Sequence, residues 1–410
     1  MWSRGPVLVS GGGVAGLTLA RCLKQRSVPV RVLEDAIAPP AGGCDRGLGL
    51  WPSSTAVLRS VLGASQLDAL AHSTQAAAYR GVDGVWLSGG SGYKHVRTVR
   101  QTALLQTLAS SLAAHELCYG ARVQRTSLGE ADVCSGGEGR SGAWVELVDG
   151  TVEQGSFVVD ATGAATLDSS GTWTTQHYSA MSALPVAVPQ AFETLGDGRR
   201  FAVVPLGESS SFWFASFPLN DALLPEPDRL ASAPPHAADD TEVYAVLREA
   251  FGSWHSPIPE LIEAGAAAAV LGTTPPPPRL LREKSGWLQR RTPAASAGHT
   301  GCYVGDARAA MPANLAQGAA MAIEEAAELA SALAHHGPTD GVAVAAFTAS
   351  RRRRVLCCGG GTLFTSLLAA PRAPTLCTAR DALLRFGVHR LLFGATLWLS
   401  LGAGYRAPTA

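Results

Sequence analysis

Apolar residues in the first 35 positions fall into two patterns. Pro6-Val7-Leu8-Val9-Ser10 is a short saturated run, as in a strand buried on both faces. It closes in Gly11-Gly12-Gly13-Val14-Ala15-Gly16, after which Leu17-Thr18-Leu19-Ala20-Arg21-Cys22-Leu23 carries helical apolar spacing. Val28-Pro29-Val30-Arg31-Val32-Leu33 is a second buried-strand candidate and ends in Glu34-Asp35. Strand, glycine turn, helix, strand and acid within about 30 residues make a βαβ unit. Downstream, Leu104, Leu105, Leu108 and Leu112 share one side of a helix expected over residues 102–114. Phe157-Val158-Val159-Asp160-Ala161 reads as another buried strand and runs into Thr162-Gly163.

Between residues 169 and 289 the texture becomes β-rich. Phe201-Ala202-Val203-Val204-Pro205 and Ser211-Phe212-Trp213-Phe214-Ala215-Ser216-Phe217 read as paired strands around Gly207. A polar loop is expected over 231–240, a helix over 241–251, and an extended segment over 273–278, where four prolines stand in a row. After Gly301-Cys302-Tyr303-Val304-Gly305-Asp306 the pattern turns helical again, with an alanine-rich helix over 315–335 and another over 342–355. The organisation that follows is a discontinuous α/β unit, residues 1–168 and 290–370, with a β-rich domain over 169–289 inserted in it. A C-terminal helical segment covers 371–410. The apolar run over 391–404 is shorter than the ~20 residues a membrane span needs. It reads as a helix packed on the protein, with interfacial membrane contact as the alternative.

Composition narrows the classes. The chain has 410 residues, and 33 Lys+Arg balance 33 Asp+Glu, so there is no basic excess to meet nucleic-acid phosphates. Charged residues are 16% of the total against roughly 25% in an average domain, and 47% hydrophobic residues supply a large core. The eight cysteines (22, 44, 118, 134, 302, 357, 358 and 377) include no CxxC pair, which excludes a zinc-ribbon or thioredoxin-like reading. No signal-peptide pattern precedes the first strand, and free thiols fit a reducing compartment, so a soluble cytoplasmic or otherwise intracellular protein is expected. Arg351-Arg352-Arg353-Arg354 lies in helical sequence, where four side chains fan around the axis, and is read as a solvated face. Arg199 and Arg200 are read as a solvated turn, with anchoring of an acidic substrate as the alternative.

The glycine turn has its own chemistry. Gly11, Gly13 and Gly16 form GxGxxG, with Val14 and Ala15 opening the helix. The first glycine allows the tight turn, the second a close approach of backbone to a pyrophosphate, and the third close helix–sheet packing. The helix N-terminus offers unpaired N–H groups to phosphate, and Glu34, eighteen residues past the last glycine, is placed to accept both ribose hydroxyls. The pattern specifies a dinucleotide without saying which one.

The segment Gly305-Asp306-Ala307-Arg308-Ala309-Ala310-Met311-Pro312-Ala313-Asn314-Leu315-Ala316-Gln317-Gly318-Ala319-Ala320-Met321-Ala322-Ile323-Glu324-Glu325-Ala326 resembles the second flavin fingerprint of the single-component FAD-dependent aromatic-ring monooxygenases. The stretch from Leu315 to Glu324 is most like the salicylate-hydroxylase branch, with zeaxanthin-epoxidase-like proteins next. The resemblance implies an α/β fold: a Rossmann-like FAD-binding domain, an inserted β-rich substrate domain and a helical C-terminus. It implies that Asp306 holds the ribityl chain and that the helix opening at Gln317, Gly318 and Ala319 aims its N-terminus at the flavin pyrimidine carbonyls. A helix dipole there favours a negatively charged reduced flavin.

Further residues carry the likeness through most of the chain. Arg46 and Gly47, leading into Leu48-Gly49-Leu50-Trp51-Pro52-Ser53, resemble the loop beside the flavin ring, and Arg100 matches an arginine that contacts the cofactor. Pro205-Leu206-Gly207 with Trp213, and Phe251-Gly252-Ser253-Trp254 with Pro259-Glu260-Leu261-Ile262, resemble the substrate domain. The chain departs from the family where Thr162 replaces the acid of the middle fingerprint, where Ala309 replaces a common histidine, and where Pro312 falls one place early.

The implied activity is insertion of one O2-derived oxygen, by hydroxylation or epoxidation, into a small apolar or aromatic molecule through a flavin hydroperoxide, with NADPH or NADH as reductant. A role in specialised metabolism is expected, as a monomer or dimer. His177 and Tyr178 follow the middle fingerprint, where relatives place polar substrate contacts; either deprotonates or orients a phenol, or the pair is an ordinary surface loop. Trp213 and Phe214 alternate on a strand, so only one faces the pocket. Two other readings stay open: a flavin-fold reductase, dehydrogenase or cyclase without oxygen transfer, and a non-redox FAD-binding protein. No metal site is expected.

Overall fold

The chain begins on β1 (Val7–Ser10), followed by α1 (Val14–Gln25), β2 (Val30–Glu34), β3 (Gly47–Leu50), α2 (Pro52–Leu62), α3 (Ala64–Leu70) and β4 (His72–Ser73). Next come β5 (Ala78–Gly81), β6 (Arg97–Arg100), α4 (Gln101–Ala109), β7 (Leu117–Tyr119), β8 (Val123–Thr126), β9 (Ala143–Leu147), β10 (Val152–Gly155) and β11 (Phe157–Asp160). The middle holds β12 (Thr174–Leu184), β13 (Phe192–Leu195), β14 (Arg200–Pro205), β15 (Ser211–Pro218), α5 (Asp240–Phe251), α6 (Ile258–Val270) and β16 (Leu281–Gly286). The last elements are β17 (Gly301–Tyr303), α7 (Asp306–Ala309), α8 (Gly318–His336), α9 (Val342–Ala369) and α10 (Pro374–Arg385). The structure is a computed structural model. It describes residues 5–40, 46–74, 78–88, 96–128, 142–163, 174–218, 221–224, 240–271, 281–286, 300–309, 311, 315–338, 341–387 and 405–408.

The saturated runs become a five-stranded, all-parallel sheet in the order β17-β11-β1-β2-β7. Alternate residues of β1 serve two cores. Val7 and Val9 face a helical layer with Leu17, Leu19 and Leu23 of α1 and Ile323, Ala326 and Ala330 of α8. Leu8 faces Ala143, Val145 and Leu147 of the antiparallel meander β10-β9-β8. A strand covered on both faces must be apolar throughout, which is why β1 shows no alternation.

The second sheet has six strands in the order β16-β12-β15-β14-β13-β5. Its pairs are antiparallel except β13 with β5, which are parallel. On one face Phe201, Trp213, Ala215 and Phe217 pack on Leu247 and Phe251 of α5 and Leu261 and Ile262 of α6. The other face presents Met181, Ala183, Val204, Phe212 and Phe214 with Leu206. β5 is drawn from the N-terminal part of the chain. The far edge of this sheet is packed against α9 and α10 through Leu195, Ala369 and Leu384. A small ribbon, β3-β6-β4, lies between the two units.

The helix expected over 102–114 is α4 and ends at Ala109, while that expected from 342 runs past Val355 to Ala369. Residues 231–239, 273–278 and 391–404, together with Cys44 and Cys134, lie outside the described residues. The cysteines described, 22, 118, 302, 357, 358 and 377, are free thiols. Among the described residues no helix is long and apolar enough to cross a membrane, and no group of side chains is arranged to hold a metal ion.

Candidate functional site

Each glycine of the first motif has a separate reason for being glycine. Gly11 has φ +103°, and a Cβ there would lie 2.8 Å from the Ala161 carbonyl oxygen at the end of β11. A Cβ on Gly16 would meet the Gly11 carbonyl oxygen at 2.0 Å, so α1 packs onto the turn only without one. At Gly13, the N-cap of α1, a Cβ would meet nothing within 4 Å. No side chain caps this helix, and its first turn, with Val14 and Ala15, holds no acid. The result is an open space facing the first-turn N–H groups and the positive end of a helix dipole, which suits a pyrophosphate.

Glu34, at the end of β2, folds towards this loop. Its Oε2 accepts the Gly12 N–H at 2.5 Å and its Oε1 the Ala36 N–H at 2.9 Å. The carboxylate therefore stands beside the glycine turn, as a ribose ligand must. Thr162 donates both its N–H (2.9 Å) and its hydroxyl (2.6 Å) to Asp160 Oδ1, closing a turn after β11. The threonine that replaces an acid in the middle fingerprint is thus a partner of the aspartate before it.

The second motif meets the first in space. Gly305 has φ +62°, and its Cβ position is 3.1 Å from the Ala15 Cβ of α1. The turn is fixed from below: Gly305 donates its N–H to Glu325 Oε2 at 2.8 Å, and Arg308 donates to Oε1 of the same carboxylate at 2.5 Å. Arg308 also lies over the Phe347 ring, 5.0 Å from its centroid. The next residue, Asp306, places Oδ1 3.9 Å from the Cβ position of Gly318, so the carboxylate and the N-terminus of α8 are neighbours. The first turn of α8, with Ala319, contains no acid. Ala316 is left-handed (φ +49°), and its carbonyl accepts the Trp51 indole N–H at 3.2 Å. Gln317, the N-cap of α8, is 1% exposed; Arg354 donates to its Oε1 at 3.0 Å, and its Nε2 has no partner among the described residues.

The ribbon joins this site to the second sheet. Gly47 pairs with Arg100 across β3 and β6, and a Cβ on Gly47 would lie 2.9 Å from the Phe212 Cβ. Arg46 is exposed and accepts the Gln101 N–H through its carbonyl. Arg100 donates to the Ser210 hydroxyl at 2.8 Å, and Thr98 to the Pro205 carbonyl at 2.7 Å. The sheet face bearing Phe212 and Phe214 is therefore turned towards the ribbon. Trp213 is fully buried on the opposite face, stacked on Phe201 at 5.2 Å.

His177 and Tyr178 stand in strand β12, not in a loop, opposite Pro218 and Phe217 of β15. Their side chains lie outside the described residues. Two charged readings need correction. Arg199 is paired bidentately with Asp221 at 2.7 and 2.8 Å, and Arg200 is bound to Glu193, so neither forms a solvated turn. The arginine run is solvated only at Arg352 and Arg353; Arg351 and Arg354 are buried on Glu324 of α8. Glu324, Glu325 and Arg308 support the second motif from behind, and apolar periodicity does not single them out. The available signal is two adjacent acids inside a helix that is apolar on every side, since such a helix is buried and its charges need partners.

A cradle open at Gly13, a carboxylate at the end of β2, a second carboxylate at the N-terminus of α8 and an orphaned buried amide at Gln317 fit a flavin dinucleotide held on an α/β fold. No protein-family model matches the chain. It is similar to the aurachin C monooxygenase/isomerase of Stigmatella aurantiaca, 26% identical over an alignment of 344 residues, with 80% of each protein covered. Among solved structures it superposes on HpxO of Klebsiella pneumoniae in complex with FAD and uric acid, with a TM-score of 0.75, 17% identity and 98% of each chain covered. It also superposes on 2,6-dihydroxypyridine-3-hydroxylase from Arthrobacter nicotinovorans, with a TM-score of 0.67, 17% identity, and 89% of this chain and 91% of that one covered. With these solved structures, at 17% identity, the chain shares the fold.

Proposed function

We propose that this protein is an FAD-dependent monooxygenase acting on a small, electron-rich aromatic molecule, with NADPH or NADH as reductant. The observation that carries the reading is the meeting of two motifs nearly 300 residues apart, Gly305 against Ala15, into one cradle with a carboxylate at each end. When bound, FAD supplies the two-electron and oxygen chemistry that no protein side chain provides. The protein's share is binding, orientation and exclusion of water. Glu34 takes the ribose hydroxyls, the first turn of α1 the pyrophosphate, Asp306 the ribityl chain and the N-terminus of α8 the pyrimidine edge. Arg46, Gly47 and Arg100 line the ring side.

Substrate sits between that ring and the apolar face of Met181, Phe212 and Phe214, which keeps water from the reacting carbon. The pyridine and purine rings named for the solved relatives favour a hydroxylated heteroaromatic. His177 and Tyr178 of β12 are the proposed polar partners that orient it and hold its proton. FAD binding by residues 1–168 and 290–370, substrate binding by 169–289 and a supporting role for 371–410 complete the proposed division.

The test is purification of the protein with its cofactor. Yellow protein with flavin absorption bands is expected, and Asp306→Ala should lose the flavin while remaining folded. NAD(P)H consumption should depend on O2 and rise with an aromatic substrate that gains one oxygen atom by mass. Colourless protein that takes up no added FAD would refute the reading. Reduction of the flavin without oxygen incorporation would instead place the chain among the reductases.

A further inference from the structure

A buried ionic cluster lies behind the N-terminus of α8. Glu324 is fully buried and receives two guanidinium groups from α9: Arg351 at 2.6 Å, and Arg354 through Nε and Nη2, both at 2.9 Å. Burial by itself would raise the Glu324 carboxyl, but the charges of Arg351 and Arg354 outweigh it and hold the group below the usual carboxylate range. One carboxylate thus serves two buried cations. The adjacent Glu325 is already bound by Arg308 and the Gly305 N–H.

Arg354 also reaches Gln317 Oε1, at 3.0 Å, with the same Nη2 that binds Glu324. A guanidinium only donates, so the oxygen of the amide must face Arg354. The amide nitrogen is therefore turned away from the cluster, buried and without a partner among the described residues. A donor in that state needs an acceptor. It stands next to Gly318, whose Cβ position is 3.9 Å from the Asp306 carboxylate.

We infer that Arg354, held on Glu324, is a positioning residue that orients Gln317 so that its side-chain Nε2 donates to an acceptor atom of bound FAD, a hydrogen bond that strengthens when the cofactor gains negative charge on reduction. This rests on the reading that FAD occupies the site. The donor differs from the backbone N–H groups of α8: it is a side chain, and its direction is set from α9.

Three variants of the FAD-loaded enzyme test it, read by flavin reduction potential, FAD dissociation and thermal unfolding. Gln317→Met removes both the donor and the acceptor for Arg354. Gln317→Glu gives Arg354 its acceptor back but leaves no donor for the cofactor. The expected result is that Gln317→Glu unfolds at the wild-type temperature, yet both variants shift the two-electron reduction equilibrium against reduced flavin about tenfold, or about 30 mV. Arg354→Gln should shift it in the same direction. If Gln317→Glu restores both the wild-type potential and the wild-type FAD affinity, Gln317 serves only Arg354 and the inference is overturned. An unchanged potential in Arg354→Gln would overturn the role of Arg354. A wild-type protein that binds no FAD would instead refute the functional reading itself.

Discussion

Gly13 and Gly16 stand three residues apart in one turn, and an added methyl group meets opposite surroundings at each. At position 16 it would press on the Gly11 carbonyl at 2.0 Å, so Gly16→Ala should destabilise the apoprotein by about 1–3 kcal/mol in denaturant titrations. At position 13 the methyl enters open space, so Gly13→Ala should unfold like wild type yet bind FAD at least tenfold more weakly. The roles of these glycines are legible in the sequence because a tight turn and a close approach leave few alternatives to glycine. The role of Arg351 and Arg354 is not. Four consecutive arginines look alike until the helix is docked, and only the position of Glu324 on a different helix decides which two are buried.

On the scale of elements, α8 and α9 are held together by that carboxylate as well as by apolar contact. Glu324→Ala leaves two buried cations without their counter-ion and should cost about 3–5 kcal/mol. Arg351→Ala should cost less, since Arg354 remains on the carboxylate; chemical denaturation of the three proteins gives the order. The pH dependence follows from the same site. Because the folded carboxyl is held low, its contribution is complete above the unfolded value of roughly 4.3 and is lost as pH falls through the folded value. Acid unfolding of Glu324→Gln should accordingly be less steep over that range than that of wild type. Helix type was readable in α8 and α9, and the extent of α8 was readable to within three residues at either end, but the length of α9 was not. α9 continues through Cys357-Cys358-Gly359-Gly360-Gly361, where buried Cys358, Gly359, Gly361, Thr362 and Thr365 pack closely and tertiary contact overrides the low helix propensity of glycine. The short strands β8, β9 and β10 gave no period long enough to read.

The whole molecule is closed by contacts between distant segments. The βαβ unit and the flavin motifs were legible in the sequence, but their meeting at Ala15 and Gly305 was not, because no local pattern encodes a contact across 290 positions. A ligand that bridges both motifs binds only the assembled state. FAD at a hundred times its Kd should therefore raise the unfolding free energy by about 2.7 kcal/mol, measurable as a concentration-dependent Tm. The order of the parallel sheet has a consequence for synthesis. β11 receives its outer neighbour β17 only when the chain has grown from Asp160 to Gly301. At about 5–20 residues per second a ribosome needs roughly 7–28 s to make that stretch, during which one edge of a hydrophobic parallel strand has no partner. Chains released before residue 301 should collect on chaperones or aggregate, and those released after residue 336 should escape that fate.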